Sequence, residues 1–330
     1  MHKSVVEAYP ELWHYTTAGG LHGILTSQQL WATDISYLND AEEFTGFFDR
    51  KLLRLVEGGV QRGIASAGKT VEGLRNINAV GGPEVIARDL PSKLCNTIRE
   101  VTLRYQVYVA SFCSPSGIDG NDGLLSQWRG YGLDGGYAIV FDTAGLNELW
   151  LNEEQRFFYS FGHWGDVDYF VDDPNGVAYE EALEWEETVR GAIANFITEQ
   201  NVHLLADKLF EPILCLATRH KHRGFREESE VRISVVTSMN GTPPDEARAA
   251  GDNRPRKPAY FTSRSGILVP HIALFERSAV EKAKLPIKKI IVGPHAEKLK
   301  RQKAIEKLLE QLEIAAEVVT SDIPYLGRSR

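Results

Sequence analysis

The pattern of apolar residues predicts strands and helices that alternate along the chain. Strands are indicated where β-branched and aromatic residues cluster or alternate with polar ones, and helices where apolar residues recur three and four positions apart. The predicted strands are Glu11–Tyr15, Gln29–Thr33, Tyr105–Cys113, Gly136–Thr143, Glu228–Val236, strands within Tyr260–Phe275, Lys288–Val292 and Ala316–Thr320. The predicted helices are a short one carrying Leu21, Ile24 and Leu25, then Phe44–Gly58, Pro83–Arg104, Val177–Thr218 and Glu297–Glu313.

The connections between these elements predict an α+β fold. Some strands are joined by hairpin-like turns and others through a helix, so we expect a mixed, mainly antiparallel sheet with covering helices. The chain has 330 residues, close to the length at which one core divides into two. We predict a single elaborated domain over 1–330, with a glycine-rich loop or insertion at 58–82 and a helical insertion at 177–218.

Composition and charge narrow the classes of protein. The chain carries 37 Lys and Arg against 45 Asp and Glu, a net charge of -8, and 43% of its residues are hydrophobic. These values exclude a basic nucleic-acid wrapper and an acidic disordered tail. The three cysteines form no Cys-x-x-Cys pair, and the apolar run Leu209–Ala217 contains Glu211 and Pro212. We therefore predict a cytoplasmic protein that does not enter a membrane.

One segment matches a nucleotide-binding pattern. Gly63–Thr70 reads G-I-A-S-A-G-K-T, the spacing of a phosphate loop. Such a loop needs a buried strand before it, which aims the backbone amides at the phosphates. The preceding residues instead have the spacing of an amphipathic helix, so we interpret the match as accidental.

The first predicted strand contains the sequence W-H-Y-T. Alternation places His14 and Thr16 on one face and Trp13 and Tyr15 on the other. One face is therefore a candidate ligand-facing surface. The alternative is that His14 is an ordinary packed core histidine with a hydrogen-bonded ring.

The sequence Q-W-R-G-Y, at 127–131, provides aromatic rings beside a glycine. Trp128 and Tyr131 are candidate platforms for a heteroaromatic ring, and Gly130 permits close approach. The alternative is that Trp128 fills the core opposite Leu124 on a short helix.

The late sequence F-R-E-E-S-E-V-R-I places two acidic residues close together. On a strand, Glu228 and Glu230 share a face with Arg232, and their carboxylates are about 7 Å apart. The pair is a candidate catalytic site. The alternative is a solvent-facing strand on which arginines pair with the glutamates.

Acidic residues also cluster in L-N-D-A-E-E-F, at 38–44. Asp40, Glu42 and Glu43 are candidates for metal binding or proton transfer, but the spacing of Asp40 and Glu43 is also that of a helix capping box. That second interpretation leaves Asn39 for function. His220 and His222 have the spacing of two zinc ligands, although basic residues at a helix end are more simply explained by the helix dipole.

Taken in order, the H-Y-T, L-N-D-x-E-E-F, Q-W-R-G-Y and E-x-E-V-R motifs resemble an uncharacterised bacterial family. Their layout is similar to that of ADP-ribosyltransferases, especially the H-Y-E class and toxins that modify DNA. The resemblance implies an ADP-ribosyltransferase-like fold and NAD as substrate, with no metal. Because the first strand carries His14 where arginine-modifying members have arginine, it does not favour protein arginine as acceptor.

The resemblance also implies roles for individual residues. Glu230 would bind the nicotinamide ribose 2′-hydroxyl and stabilise positive charge at C1′, and Glu228 would position the acceptor. His14 would contact the adenine-side ribose, and Trp128 or Tyr131 would stack on nicotinamide. The residues implied to bind NAD are thus His14, Tyr15, Thr16, Trp128 and Tyr131, and Asn39 and Arg129 are further candidates for contact with substrate in the cleft.

Three functions are consistent with these residues. The first is an NAD-dependent ADP-ribosyltransferase, acting as a toxin or defence effector on nucleic acid or protein and neutralised by an antitoxin. The second is a metal-dependent nuclease or hydrolase that uses Asp34, Asp40, Glu43, Glu228 and Glu230. The third is a non-catalytic module that binds a nucleotide or a partner.

Overall fold

The computed structural model describes residues 4–38, 44–114, 122–131, 136–169, 177–239, 252–264, 266–276 and 284–324. The strands are β1 Glu11–Thr16, β2 Leu30–Asp34, β3 Tyr105–Cys113, β4 Tyr137–Asp142, β5 Phe161–Asp166, β6 Asp168–Tyr169, β7 His220–Lys221, β8 Glu230–Met239, β9 Tyr260–Arg264, β10 Ile267–Leu274, β11 Ile287–Val292 and β12 Glu317–Thr320.

The α-helices are α1 Val5–Ala8, α2 Ala18–Ser27, α3 Thr45–Phe47, α4 Leu53–Ala67, α5 Val71–Ala79, α6 Pro83–Thr102, α7 Leu125–Tyr131, α8 Thr143–Arg156, α9 Val177–Glu199, α10 Val202–Arg219 and α11 Lys298–Gln311. A π-helical turn, Phe48–Leu52, joins α3 to α4. Short 3-10 turns lie at Ile35–Tyr37 and Arg223–Glu228.

Within the described residues, ten of the strands form one sheet. Its order is β12-β11-β4-β1-β3-β2-β10-β9, and β8 pairs with β3 while β5 pairs with β8. Only β11 and β12 run parallel among the neighbours in this sheet. The predicted α+β class with a mixed, mainly antiparallel sheet is confirmed.

The sheet is nearly divided in two at β3. One edge of β3 pairs with β8 along its whole length, from Tyr105 to Cys113. The other edge is shared: β1 pairs with it only at Trp13 and Cys113, and β2 pairs with it at Val109 and Tyr108. Between these contacts β1 diverges from β3, and the sheet opens there.

Helices cover both faces of this sheet. Alternation along β3 sends Val107 and Val109 into a core with α4, α6, α9 and α10, and sends Tyr108, Ala110 and Phe112 into a second core with α2, α8 and α11. The central strands β3 and β4 are therefore buried on both sides, which explains why they consist mostly of apolar residues.

The segment 58–82, predicted as a loop or an insertion, is not a loop: most of it is helical, in α4 and α5. Gly59 and Gly63 interrupt the apolar pattern because they lie where α4 packs against α9. A Cβ added at Gly59 would lie 2.8 Å from Cβ of Ile193, and one at Gly63 would lie 2.9 Å from the carbonyl oxygen of Ala194. Small residues let the two helices approach, so these glycines contribute to packing.

The position of α4 shows that the phosphate-loop pattern is accidental. Gly63–Thr70 begins inside α4 and ends at Thr70, whose side chain caps α5. A helix precedes it, as predicted, and the segment lacks the strand that a phosphate loop requires.

Two adjacent glycines provide a test of this helix contact. We expect Gly59→Ala to lower the free energy of unfolding by about 1–3 kcal/mol, because the added Cβ overpacks the contact with Ile193. At Gly58 the nearest atom, Nε of Arg190, is 3.5 Å from the added Cβ. Gly58→Ala should therefore raise that free energy by up to about 1 kcal/mol through helix propensity. Urea unfolding measures both, and equal effects would contradict the packing role of Gly59.

Candidate functional site

A cavity of about 400 Å³ lies where β1 diverges from β3. Residues from β1, β2 and β3 line it together with residues from α7 and the segment 221–232. The described lining is Trp13, His14, Tyr15, Trp31, Thr33, Leu38, Val109, Ala110, Ser111, Cys113, Ser126, Gln127, Gly130, Lys221, Gly224, Phe225, Glu227, Glu228, Glu230, Arg232 and Arg264. Because the cavity opens at a gap in the sheet, it is lined by consecutive residues of β1 and not by one alternating face.

His14 connects the two strands where the backbone ladder ends. Its Nδ1 lies 3.0 Å from the carbonyl oxygen of Ser111. A carbonyl only accepts, so Nδ1 carries the hydrogen and donates it, and Nε2 of the neutral ring is an acceptor. Burial lowers the pKa of His14 despite this hydrogen bond, which keeps the ring neutral at neutral pH. His14 is thus a hydrogen-bonded residue that also lines the cavity.

Tyr15 and Trp128 form a rigid support behind the cavity. The Tyr15 hydroxyl accepts a hydrogen bond of 2.8 Å from the backbone N–H of Leu124, and burial raises its pKa. The Trp128 ring meets that of Tyr15 edge to face, with centroids 4.9 Å apart. Trp128 is 1% exposed and donates from Nε1 to the carbonyl of Asp122. It lies in the core, outside the described lining, as its alternative interpretation predicts.

Helix α7 carries Trp128, but other residues of this helix line the cavity. Ser126, Gln127 and Gly130 line the cavity. Arg129 is exposed and lies outside the described lining, as does Thr16 at the end of β1. Tyr131 ends the helix, but its side chain lies outside the described residues, and so does Asn39.

The acidic pair is built differently from the prediction. Glu228 ends the 3-10 turn Arg223–Glu228, and Ser229 has φ of 42°, a left-handed conformation. Strand β8 begins only at Glu230. The two carboxylates still converge, because the Lys221 ammonium donates to Oε2 of Glu228 at 2.6 Å and to Oε2 of Glu230 at 2.7 Å.

Arg232 completes this ion cluster. Its Nε donates to Oε1 of Glu230 at 2.6 Å, its Nη2 donates to Oε2 at 3.0 Å, and its Nη1 donates to the carbonyl of Thr218. The side chains of Arg232, Glu230 and Lys221 are 1%, 4% and 7% exposed, whereas that of Glu228 is 16% exposed. Glu228 is therefore the more accessible carboxylate of the cluster.

The surrounding charges keep Glu230 ionised. Burial by itself would raise the pKa of Glu230, but the positive charges and hydrogen bonds of Arg232 and Lys221 lower it to about 2. The backbone N–H of Glu230 also donates to the hydroxyl of Tyr169 at 2.7 Å. At neutral pH this carboxylate is an acceptor only.

Sequence reasoning missed Lys221, the centre of this cluster. It lies in T-R-H-K-H-R, which predicts a basic helix end that complements the helix dipole. In the structure α10 ends at Arg219, and His220 and Lys221 form β7, which pairs with β6. The signal was the short sequence distance to Glu228, but only the turn between them aims the ammonium at both carboxylates.

The other candidate metal ligands have local roles. Asp34 accepts from the backbone N–H of Ser36 and caps a 3-10 turn, and Nδ1 of His222 accepts from the N–H of Gly224. In the part of the chain that is described, no group of three or more His, Cys, Asp or Glu side chains is arranged to hold a metal ion. Asp40, Glu42 and Glu43 lie outside that part.

None of the described helices combines the length and the apolar surface needed to cross a bilayer.

We expect the pH dependence of unfolding to report the ion cluster. The folded-state pKa of Glu230 is about 2, below its ordinary value of 4.5. Its carboxylate therefore stabilises the fold above pH 4.5, and this contribution, on the order of 3 kcal/mol, is lost as the pH falls from 4.5 toward 2. In Glu230→Gln the free energy of unfolding should fall less steeply between about pH 5 and pH 3.

Urea unfolding at several pH values measures this slope. Glu310→Gln is the control, because Glu310 is exposed on α11 and should leave the slope close to that of the wild type. The same slope in Glu230→Gln and in the wild type would contradict the depressed pKa.

Comparisons with known proteins found one similarity. No curated protein and no solved structure matched the chain. Residues 127–233, less than half of the chain, match the family described as "Protein of unknown function (DUF2971)". The match begins at Gln127 and includes Lys221, Glu228, Glu230 and Arg232. The segment similar to this uncharacterised family therefore contains the ion cluster of the cavity but none of the cavity residues on β1, β2 and β3.

Proposed function

We propose that this protein is an NAD-dependent ADP-ribosyltransferase whose site is the cavity between β1 and β8. The observation that supports the proposal best is that His14 and Glu230, far apart in sequence, line the same cavity. The sequence resemblance implies these two residues for the two ends of NAD. A buried carboxylate that is ionised at neutral pH also fits the chemistry, which creates positive charge on a sugar.

The proposed reaction begins at the bond between nicotinamide and ribose C1′. The bond breaks, nicotinamide leaves as a neutral molecule with the electron pair, and C1′ becomes cationic. A nucleophilic oxygen or nitrogen of the acceptor then forms a bond to C1′ and releases its proton. As in glycoside cleavage, a nearby carboxylate stabilises the oxocarbenium-like state.

The two glutamates have different roles in this proposal. Glu230 is held by Lys221 and Arg232, so its oxygens have a defined position and accept from the 2′-hydroxyl of the reacting ribose. Glu228 is more accessible and contacts the acceptor. Because these two cations balance the two carboxylates, the favourable interaction with C1′ comes from the nearest carboxylate and not from a net negative charge.

In this proposal His14 and the α7 residues bind the part of NAD that lies away from the glutamates. Nε2 of His14 is an acceptor for a ribose hydroxyl, and Gln127 provides an amide in a nearly buried position. We extend the proposal to a macromolecular acceptor, nucleic acid or protein, and to cytoplasmic action as a toxin or defence effector with a neutralising partner. The three cysteines are free thiols, which fits a reducing compartment.

The hydrolase alternative has less support at this position. Lys221 lies between Glu228 and Glu230, where a divalent cation would have to bind to use both carboxylates. A divalent cation bound by both carboxylates would have to displace this ammonium, whereas the proposed sugar chemistry needs only one accessible carboxylate oxygen.

We expect Glu230→Gln to reduce transfer of labelled ADP-ribose from NAD to a cell extract by about 100-fold or more. The reason is that an amide lacks the charge that stabilises the cationic sugar. Glu228→Gln should reduce transfer to the acceptor while release of nicotinamide continues. Glu310→Gln should transfer at the wild-type rate.

Nicotinamide release and labelled product are measured separately, with NAD affinity and thermal stability determined for each variant. Equal transfer by Glu230→Gln and wild type would disprove the assigned role. Tight NAD binding by the wild type without nicotinamide release would identify a binding module instead.

A further inference from the structure

We propose that Trp31 is the platform on which the cavity binds a purine ring, the adenine end of a dinucleotide or of a nucleoside diphosphate. The inference deepens the proposed function and rests on it for the identity of the whole ligand. It assigns a ring-binding position to Trp31 on β2, a residue that the sequence did not single out, whereas Trp128, which the sequence did single out, is buried.

Trp31 has the accessibility that a stacking platform needs. Its side chain lines the cavity and is 49% exposed, whereas the cavity residues Trp13 and Tyr15 are 2% and 5% exposed. Phe225 is also partly exposed, but Lys221 lies over its ring at 4.9 Å, beside the carboxylates. Of the aromatic side chains in the described lining, Trp31 therefore offers the largest accessible ring.

The orientation of Trp31 is set by a second ring behind it. The Trp31 and His271 rings are stacked, with centroids 4.2 Å apart and planes inclined by 29°. His271 is 5% exposed and has Tyr260 near its ring, with centroids 6.1 Å apart. A half-exposed tryptophan would ordinarily lose rotamer freedom when a ligand stacks on it. Here the contact with His271 restrains the indole before any ligand binds, which lowers the entropic cost of binding.

The strand register places Trp31 on the cavity side of the sheet. Trp31 pairs with Ala273, and Thr33, two residues later, pairs with His271. Trp31 and Thr33 therefore share a face, and both line the cavity.

The position of Trp31 distinguishes the two ends of the ligand. β2 and β8 both flank β3, so their backbones are about 10 Å apart, two strand spacings. The ring attached to the reacting C1′ must leave close to Glu230. We therefore assign the ring on Trp31, two strands away from Glu230, to the other nucleoside.

Charge near Trp31 favours a nucleotide over an uncharged aromatic ligand. Arg264, on β9, lines the same cavity and donates to the carbonyl of Tyr37. A guanidinium can contact phosphate through its remaining N–H groups, and an indole face binds any nucleobase. Together they match a ring joined to phosphates.

We expect Trp31→Ala to weaken binding of ADP by about 5- to 150-fold, the loss of one base–aromatic stack. Trp31→Phe keeps a ring and should lose less. Binding of nicotinamide mononucleotide and of ribose 5-phosphate should be the same in Trp31→Ala and wild type, because neither places a purine at this end. Calorimetry on the full chain measures all three probes.

Phe261→Ala is the matched control. Phe261 is 64% exposed on β9, the strand that pairs with the His271 strand β10. It follows Tyr260, which pairs with His271, so Phe261 points to the opposite face of the sheet from Trp31. Its ADP affinity should equal that of the wild type. Thermal unfolding of each variant verifies that the fold is retained, which is expected because Trp31 is half exposed.

Each outcome decides the proposal. No ADP binding by the wild type, equal ADP affinity of Trp31→Ala and wild type, or an equal loss for ADP and nicotinamide mononucleotide would overturn it. If ADP binding depends on Trp31 but the wild type never releases nicotinamide from NAD, the platform stands and the proposed function fails. If the wild type transfers ADP-ribose but ADP affinity is the same in Trp31→Ala and wild type, the proposed function stands and the platform is disproved.

Discussion

The divergence of β1 from β3 is the constraint on which the cavity depends. A strand in a continuous sheet has both backbone edges paired, but β3 shares one edge between β1 and β2 and leaves a gap between them. A partly buried carbonyl in such a gap is best satisfied by a donor from a side chain. Nδ1 of His14 provides it to Ser111, so the same imidazole satisfies the backbone and presents its other nitrogen as an acceptor.

The opposite wall is held by charge. Lys221 and Arg232 neutralise two glutamates in a nearly dry environment, where an unpaired charge would cost several kcal/mol. Such a cluster is weak evidence for stability in itself, because desolvation offsets the attraction between the ions. Its effect is geometric: it fixes the two carboxylate positions relative to β8 and keeps Glu230 ionised. The cavity thus combines a neutral polar wall with a wall of paired charges.

Local pattern was informative where an element packs through its own side chains. The apolar runs of β3 and β4 and the spacing of apolar residues along α9 predict their elements correctly. In these elements the buried positions are the apolar ones, so the pattern is visible in the sequence. Of the two alternatives predicted at 58–82, a loop or an insertion, the loop was wrong: glycines promote a loop in isolation, but this segment is helical. In the fold, Gly59 and Gly63 are small because another helix lies against them, and helix contacts of this kind override local propensity.

The sequence by itself determined the α+β class, and it singled out His14 and Glu230 as candidates, which the fold places along one cavity. It also indicated that Trp128 had two interpretations. Only the tertiary structure decided between them, brought Lys221 under both glutamates, and left Trp31 exposed at the cavity. The physical reason is that periodicity records whether a side chain is buried, whereas a site depends on distances between strands remote in sequence, which are set by how the sheet pairs and where it opens.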